Sequence, residues 1–225
     1  MASNTRRQPE GDARPRSRNP RGEGGRLREE LIETAAELIS ESGDASQLTL
    51  RGLARRIGIA APSIYRHFPD VDHLKRAVVD RAFGQFAKER DRSREATDDP
   101  SAALLAGCRA YCRFALGNPG VYRFMFSEQA PGRERRSAVG AAALAALAGS
   151  IRECQEAGVT RIGDADAAAT TVWATLHGLS LLHLNLPDFG WPAPLEEMAT
   201  DAVTRLLGLE TTSGAPRPTR RKDKK

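Results

Sequence analysis

Between Arg26 and Glu210 the apolar positions recur at helical spacing almost without interruption. Leu27, Leu31, Ala35 and Leu38 fall at i, i+4, i+8 and i+11, and Ile32, Ala36 and Ile39 widen that stripe. Ser42, Gly43 and Asp44 end this first helix, with Gly43 as its C-terminal cap. Thr49 opens a second helix, because its hydroxyl can take up a free N–H, and Gly58 breaks it after Ile57. A short third helix carries Pro62 in its first turn, where the missing N–H is harmless. It holds Ser63, Ile64, Tyr65, Arg66, His67 and Phe68, and Pro69 stops it. Asp70 then caps a longer helix over residues 71–92, through Leu74, Val78, Phe83 and Phe86, which fades in the charged run from Lys88 to Glu95.

The second half divides in the same way. Pro100 opens a helix through Leu104, Cys108, Tyr111 and Ala115, closed by Gly117, Asn118 and Pro119. A short amphipathic stretch runs from Tyr122 to Phe126, and an Ala-rich helix over 133–157 ends at Gly158. The last two helices cover 164–186 and 193–209, separated by the turn-rich Pro187 to Pro192. No segment alternates with the period of a strand and no repeat is visible. The expected class is all-α: an N-terminal three-helix unit followed by a helical bundle, about nine helices in all.

Composition narrows the class further. The 225 residues are 40% hydrophobic but only 5% aromatic, which suits helices packed closely through alanine. Three cysteines without framework spacing argue against a disulfide-stapled secreted domain. No stretch approaches the roughly 20 apolar residues needed to cross a bilayer, and no apolar core follows the N-terminal Arg6 and Arg7, so a cytoplasmic chain without membrane contact is expected. The net charge of +5 is uneven. Residues 1–25 carry Arg6, Arg7, Arg14, Arg16, Arg18 and Arg21 against Glu10, Asp12 and Glu23. Residues 211–225 carry Arg217, Arg220, Arg221, Lys222, Lys224 and Lys225 against Asp223. Both ends are too poor in apolar residues to order themselves and read as disordered basic tails. They serve either solubility or salt-dependent attraction to phosphate.

Residues 49–68 carry the chemistry. Two short helices flank a glycine turn, with Leu53, Ala54, Ile57, Ile59 and Ile64 spaced to lock them together, which is helix-turn-helix geometry. Arg51, Arg55, Arg56 and Arg66 face no acid within residues 51–66. Ala61, Pro62 and Ser63 are small groups at the start of the second of these helices, suited to close approach to a groove and to thymine methyls. Tyr65 and His67 can hydrogen-bond phosphates, and the helix start at Thr49 favours them too. Phe68 reads as a core aromatic, while Arg55 and Arg56 fit either a solvated face or phosphate contacts.

Here the sequence resembles the TetR family of transcriptional regulators, through Leu50, Leu53, Ala54, Ile57, Gly58, Ile59, Pro62, Ser63, Ile64, Tyr65, His67 and Phe68, followed by Asp70 and Leu74. The resemblance implies backbone contacts from Thr49, Tyr65 and His67, and base contacts from Arg51, Ala61, Pro62 and Ser63. Arg66 lies within the same segment and joins the expected DNA-binding set. Two positions depart from the family pattern. Ala60 stands where a polar cap is usual, and Val71 stands where a phosphate-binding lysine is usual, leaving Lys75 as a substitute.

The helix over 164–186 has leucines pointing in most directions, and a helix apolar all round must be covered all round. The last helix shows Leu195, Met198, Ala202, Val203, Leu206 and Leu207. Two such helices doubled by a two-fold axis make a four-helix interface, so Leu179, Leu182, Met198, Val203 and Leu206 are expected at a homodimer contact. Such a dimer presents two recognition helices about one turn of DNA apart. Trp173 and His177 share a helix face beside Gly178; a mid-helix glycine costs about 1 kcal/mol against alanine, so close packing is expected there. The runs Asn118 to Phe126 and Trp173-x-x-x-His177-Gly178 resemble the TetR subgroup whose C-terminal domain is named for Trp, His and Gly. That resemblance implies an effector-binding bundle. Its expected lining is Tyr111, Phe114, Tyr122, Phe126, Trp173 and His177, around a small, largely apolar effector.

Two other classes of function compete. An enzyme or metal site would draw on Cys108 and Cys112 at i, i+4 with His177, but no further ligand spacing, phosphate loop, nucleophile elbow or His-Glu-x-x-His run is present. Neither metal, cofactor nor catalysis is therefore expected. A helical adaptor contacting polyanions only through its tails would bind without sequence preference. The expected organisation is a tail over 1–25, a DNA-binding domain over 26–70, a ligand-binding and dimerisation bundle over 71–210 and a tail over 211–225. The expected function is a ligand-responsive repressor acting as a homodimer on a palindromic DNA operator.

Overall fold

A computed structural model describes residues 24–209, so the expected basic tails lie outside the described residues except for Gly24 and Gly25, which open the first helix. The described residues form nine α-helices and no strand. These are α1 (Gly24–Ser42), α2 (Leu50–Ile57), α3 (Ala61–Tyr65), α4 (Val71–Arg94), α5 (Pro100–Gly117), α6 (Pro119–Phe126), α7 (Arg133–Glu156), α8 (Ala165–Asn185) and α9 (Leu195–Leu207). No helix among them is long and apolar enough to cross a membrane.

The helices pack as two compact units. The first runs to Gln85 and takes in Asn118–Arg135; the second comprises Phe86–Gly117 and the chain from Arg136. Where the sequence suggests a boundary at residues 70 and 71, packing continues into α4, and α6 joins the first unit.

In the first unit, Leu31, Ile32, Ala35 and Ile39 of α1 are buried with Leu53 and Ala54 of α2, Ile64 of α3, and Leu74 and Val78 of α4. Each leucine, isoleucine or valine among them contributes about 1.5–3 kcal/mol when fully buried. Gly58 ends α2 with φ +76°, its N–H reaching Ala54 and Arg55 carbonyls, and the Ile59 N–H returns to the Ala54 carbonyl at 3.0 Å. Glycine takes this left-handed turn without strain. Asp44 caps a short 3₁₀ turn over Ala45–Gln47, accepting from the Ser46 N–H at 2.8 Å. α6 packs against α1 at Gly120: a Cβ there would lie 2.5 Å from the Ser40 Cα and 3.1 Å from the Ile39 carbonyl oxygen. Only a residue without a side chain permits that approach.

In the second unit α5 packs against α8 and α9. Leu104, Cys108, Cys112 and Ala115 of α5 are buried, as are Val172, Leu176 and Ser180 of α8 and Ala199, Val203 and Leu207 of α9. Val203 is 0% exposed within its own chain, which corrects its expected place at a dimer contact: it is a core residue, covered by the protomer. Asp164 caps α8, accepting from the Asp166 and Ala167 N–H groups at 2.9 and 3.0 Å. The Thr160 hydroxyl donates to the Leu207 carbonyl and ties the end of α9 to the chain after α7. Cys108, Cys112 and Cys154 are free and buried. Burial pushes the Cys108 thiol up to about 12 and the Cys112 thiol up to about 11, so both stay protonated and unreactive. Among the described residues no group of three or more His, Cys, Asp or Glu side chains could hold a metal ion.

Candidate nucleic-acid interface

Thr49 has extended backbone (φ −130°, ψ 145°), and its Oγ1 accepts the Gly52 N–H at 3.0 Å. One free donor of α2 is thereby satisfied, and the hydroxyl hydrogen remains available to an outside acceptor. Arg51 and Arg55 are exposed and make no ion pair among the described residues. Arg56 behaves differently. It reaches Glu41 of α1 at 2.8 Å and braces the two helices.

α3 is shorter than the sequence suggests, ending at Tyr65 rather than Phe68. The His67 and Phe68 N–H groups both return to the Ile64 carbonyl at 2.9 Å, and Pro69 has no N–H to continue the ladder. Ala60 offers no side-chain cap, and the Ser63 N–H turns back to the Ala60 carbonyl at 2.8 Å. Ile64 is fully buried and anchors α3. Pro62 and Arg66 are exposed, Ala61 and Ser63 are half-buried, and an Arg66 terminal nitrogen lies 3.4 Å from the Ser63 hydroxyl. Tyr65 is 48% exposed despite its ring, whereas Phe68 is 2% exposed and belongs to the core. Of two aromatics three residues apart, one faces outward and the other packs in the core.

His67 is half-buried, and its pKa lies below the ordinary value of 6.5 through burial and then the fields of Arg66 and Arg28. The neutral ring it favours carries one N–H donor. Arg28, which nothing in the sequence singled out, stands on α1 with its guanidinium carbon 5.3 Å from the Phe68 ring centroid. Lys75 is half-buried on α4. Asp70 caps that helix, accepting the His73 N–H at 2.8 Å and meeting the His73 Nδ1 at 2.8 Å, which holds the carboxyl below its usual range.

The expected effector residues belong to both units. Tyr111, Phe114, Trp173 and His177 lie in the second unit, where the Tyr111 hydroxyl and the His177 Nδ1 are 3.0 Å apart. Phe86, unmarked in the sequence, packs edge-on to Tyr111 at 5.4 Å and tilted to Phe114 at 5.8 Å. Trp173 and His177 rings are 5.9 Å apart, and burial lowers the pKa of His177. Tyr122 and Phe126 instead lie in the first unit, with rings 5.2 Å apart, and Tyr122 is buried in that core.

Of the expected dimer residues, Leu182 and Leu206 are exposed and Leu179 and Met198 half-buried. The close packing expected at Gly178 is not found: a Cβ there would meet nothing within 4 Å.

A helix-turn-helix unit with exposed, unpaired arginines and an outward tyrosine defines a DNA-binding protein. Comparison with known proteins agrees. Residues 31–78 match the family "Bacterial regulatory proteins, tetR family", and residues 104–206 match a tetracycline-repressor-like C-terminal domain, a broader description than the Trp-His-Gly subgroup. The chain belongs to the TetR family of transcriptional regulators. Among solved structures, a protein of unknown function from Rhodococcus sp. RHA1 is similar at 27% identity and a TM-score of 0.67, over 81% of this chain and 95% of that one. The TetR-family regulator PfmR from Thermus thermophilus shares the fold at 21% identity and a TM-score of 0.60, over 79% and 97%. RolR in complex with resorcinol does so at 21% identity and a TM-score of 0.60, over 84% and 90%.

Proposed function

We propose that this regulator is a ligand-responsive repressor that binds a two-fold symmetric operator as a homodimer in the cytoplasm and acts by binding rather than catalysis. The observation that carries the DNA half of this reading is the contrast at the end of α3, where Tyr65 is 48% exposed and Phe68 is buried. Thr49, Tyr65 and His67 would hold the backbone, with Lys75 and Arg66 adding charge. Arg51, Ala61, Pro62 and Ser63 would read bases.

The homodimer is supported by α8 and α9. Leu182 and Leu206 are 49% and 39% exposed, and the open space over Gly178 leaves room for the backbone of a second copy to come close. The effector site is assigned to the second unit, where aromatic rings surround the neutral Tyr111–His177 hydrogen bond. RolR takes resorcinol, a small uncharged aromatic diol, and an effector of similar polarity suits this pair. The signal would pass along α4, whose residues belong to both units, by shifting the population of DNA-competent dimers.

Selection of bound sequences from random duplexes with the purified protein tests the reading. A palindromic consensus is expected. Tyr65→Phe and His67→Ala should weaken binding to every sequence, while Arg51→Ala and Pro62→Ala should change the preferred bases by about 1–3 kcal/mol per base pair read. Binding without preference, insensitive to Tyr65→Phe, would favour a polyanion-binding adaptor and refute the repressor.

A further inference from the structure

At the edge of the helix-turn-helix stands a cation contributed by α1, Arg28. Val71 occupies the position at the start of α4 where a phosphate-binding lysine is usual, so the turn after α3 lacks that charge. Arg28 reaches the same turn from α1. Its guanidinium carbon lies 5.3 Å from the ring centroid of Phe68, the residue after His67, and its side chain is 47% exposed. A guanidinium over an aromatic face is held in place while its outward N–H groups remain free to donate.

The one ion pair of Arg28 among the described residues is long and solvent-exposed, and leaves the outward face of the guanidinium open. Glu29 lies 3.5 Å from Arg28, but the same carboxylate is shared with Arg81 at 3.4 Å, and Arg81 also reaches Glu33 at 3.4 Å. Arg28 also stands close enough to His67 for its field to depress the imidazole pKa, together with that of Arg66. Arg66 has no carboxylate partner among the described residues and Arg28 has only the long, exposed pair with Glu29, so the edge beside His67 presents two guanidinium groups to an outside anion.

We propose that Arg28, held on the Phe68 ring, is a DNA-backbone contact that binds the phosphate next to the one met by His67, doing from α1 what a lysine at position 71 would do from α4. The inference rests on the DNA-binding reading above. It assigns Arg28 to a phosphate, so it contributes affinity without sequence preference.

Fluorescence-anisotropy titration of a random-sequence duplex over a range of salt tests this with the full chain and its Arg28→Gln and Arg28→Lys variants. Removing one neutralised phosphate lowers the slope of log K against log salt by about 0.9. Arg28→Gln should therefore show that decrease per bound protomer, its deficit against wild type shrinking about 3.5-fold between 50 and 200 mM salt. Arg28→Lys should keep the wild-type slope. A thermal melt of each variant reads the packing on Phe68 separately: a purely structural Arg28 would lower the melting temperature of Arg28→Gln and leave its salt slope at the wild-type value, which would overturn the proposal. A wild-type chain that binds duplex without salt dependence would bring down the DNA-binding reading itself. Normal wild-type binding with an unchanged Arg28→Gln slope refutes only the role of Arg28.

Discussion

The arginines of the second unit and those of the helix-turn-helix surface in the first differ in their partners. In the second, Arg94 meets Glu153 at 2.6 Å, Arg113 meets Glu196 at 3.0 Å, Arg152 meets Asp166 at 2.6 Å and Arg205 meets Asp201 at 2.9 Å. In the first, Arg51, Arg55 and Arg66 on and after α2 and α3 have no carboxylate partner among the described residues. Exposed pairs of the first kind stabilise by about 0–1 kcal/mol and satisfy charge internally. Unpaired cations add little to folding but create a field that attracts an anionic partner. The first unit also pairs Arg56 with Glu41 and Arg81 with Glu29 and Glu33, so the unmatched charge is confined to the surface of α2 and the end of α3. The aromatic residues divide too: the first unit turns Tyr65 outward from residues that are close in sequence, whereas the second assembles Phe86, Tyr111, Phe114 and His177 from three helices.

The sharpest way to break this contrast is to remove the support under the exposed residues. Ile64→Ala should cost about 3 kcal/mol in denaturant unfolding and abolish operator binding, because nothing else anchors α3 at its centre. Unchanged stability would mean that α3 is held by other contacts. Gly120→Val comes next, at about 2 kcal/mol, because the new side chain must displace the α1 backbone at Ser40. A melt at wild-type temperature would show that α6 can move away from α1 freely.

A paired test addresses the arginines directly. Arg113→Ala should lower stability by up to about 1 kcal/mol and leave DNA affinity alone, since Arg113 meets Glu196 at 3.0 Å. Arg51→Ala should do the reverse, changing stability by less than about 0.5 kcal/mol while altering DNA recognition. Equal effects of the two on binding would dissolve the contrast.

The smallest expected effect is on pH dependence. His67 and His177 both have folded pKa values below the ordinary 6.5, each first through burial. In the window below 6.5 the unfolded chain binds more protons than the folded one, so this stability is present above 6.5 and lost as pH falls through the folded values. Melting temperature should be flat just above neutrality and decline below 6.5, with His177→Gln removing part of the decline. A melting temperature that rises on acidification to about pH 5.5 would contradict the burial of both rings.

The helix-turn-helix was legible because the segment that forms it is local. Thr49, Gly58 and Pro69 each act on the few residues beside them, so their identities alone predict where α2 and α3 begin and stop, to within three residues at the end of α3. Arg28 was invisible because its partner, Phe68, is distant in the chain and nothing in the spacing joins them. The effector candidates were legible as aromatics, but Phe86 took a place beside Tyr111 that its own helix pattern does not reveal. Val203 shows the same limit. Its apolar stripe says that α9 must be covered, yet whether the cover is the protomer or a second copy depends on how neighbouring helices cross.

Helix content, helix limits and the helix-turn-helix thus follow from the order of residues, since caps, prolines and 3.6-residue periodicity are near-neighbour effects. Which apolar faces meet, which arginines find a carboxylate, how closely α6 approaches α1 and which ring lies under Arg28 were decided only on folding. Those outcomes depend on side chains from distant parts of the chain filling a shared volume, which no periodicity along one segment encodes.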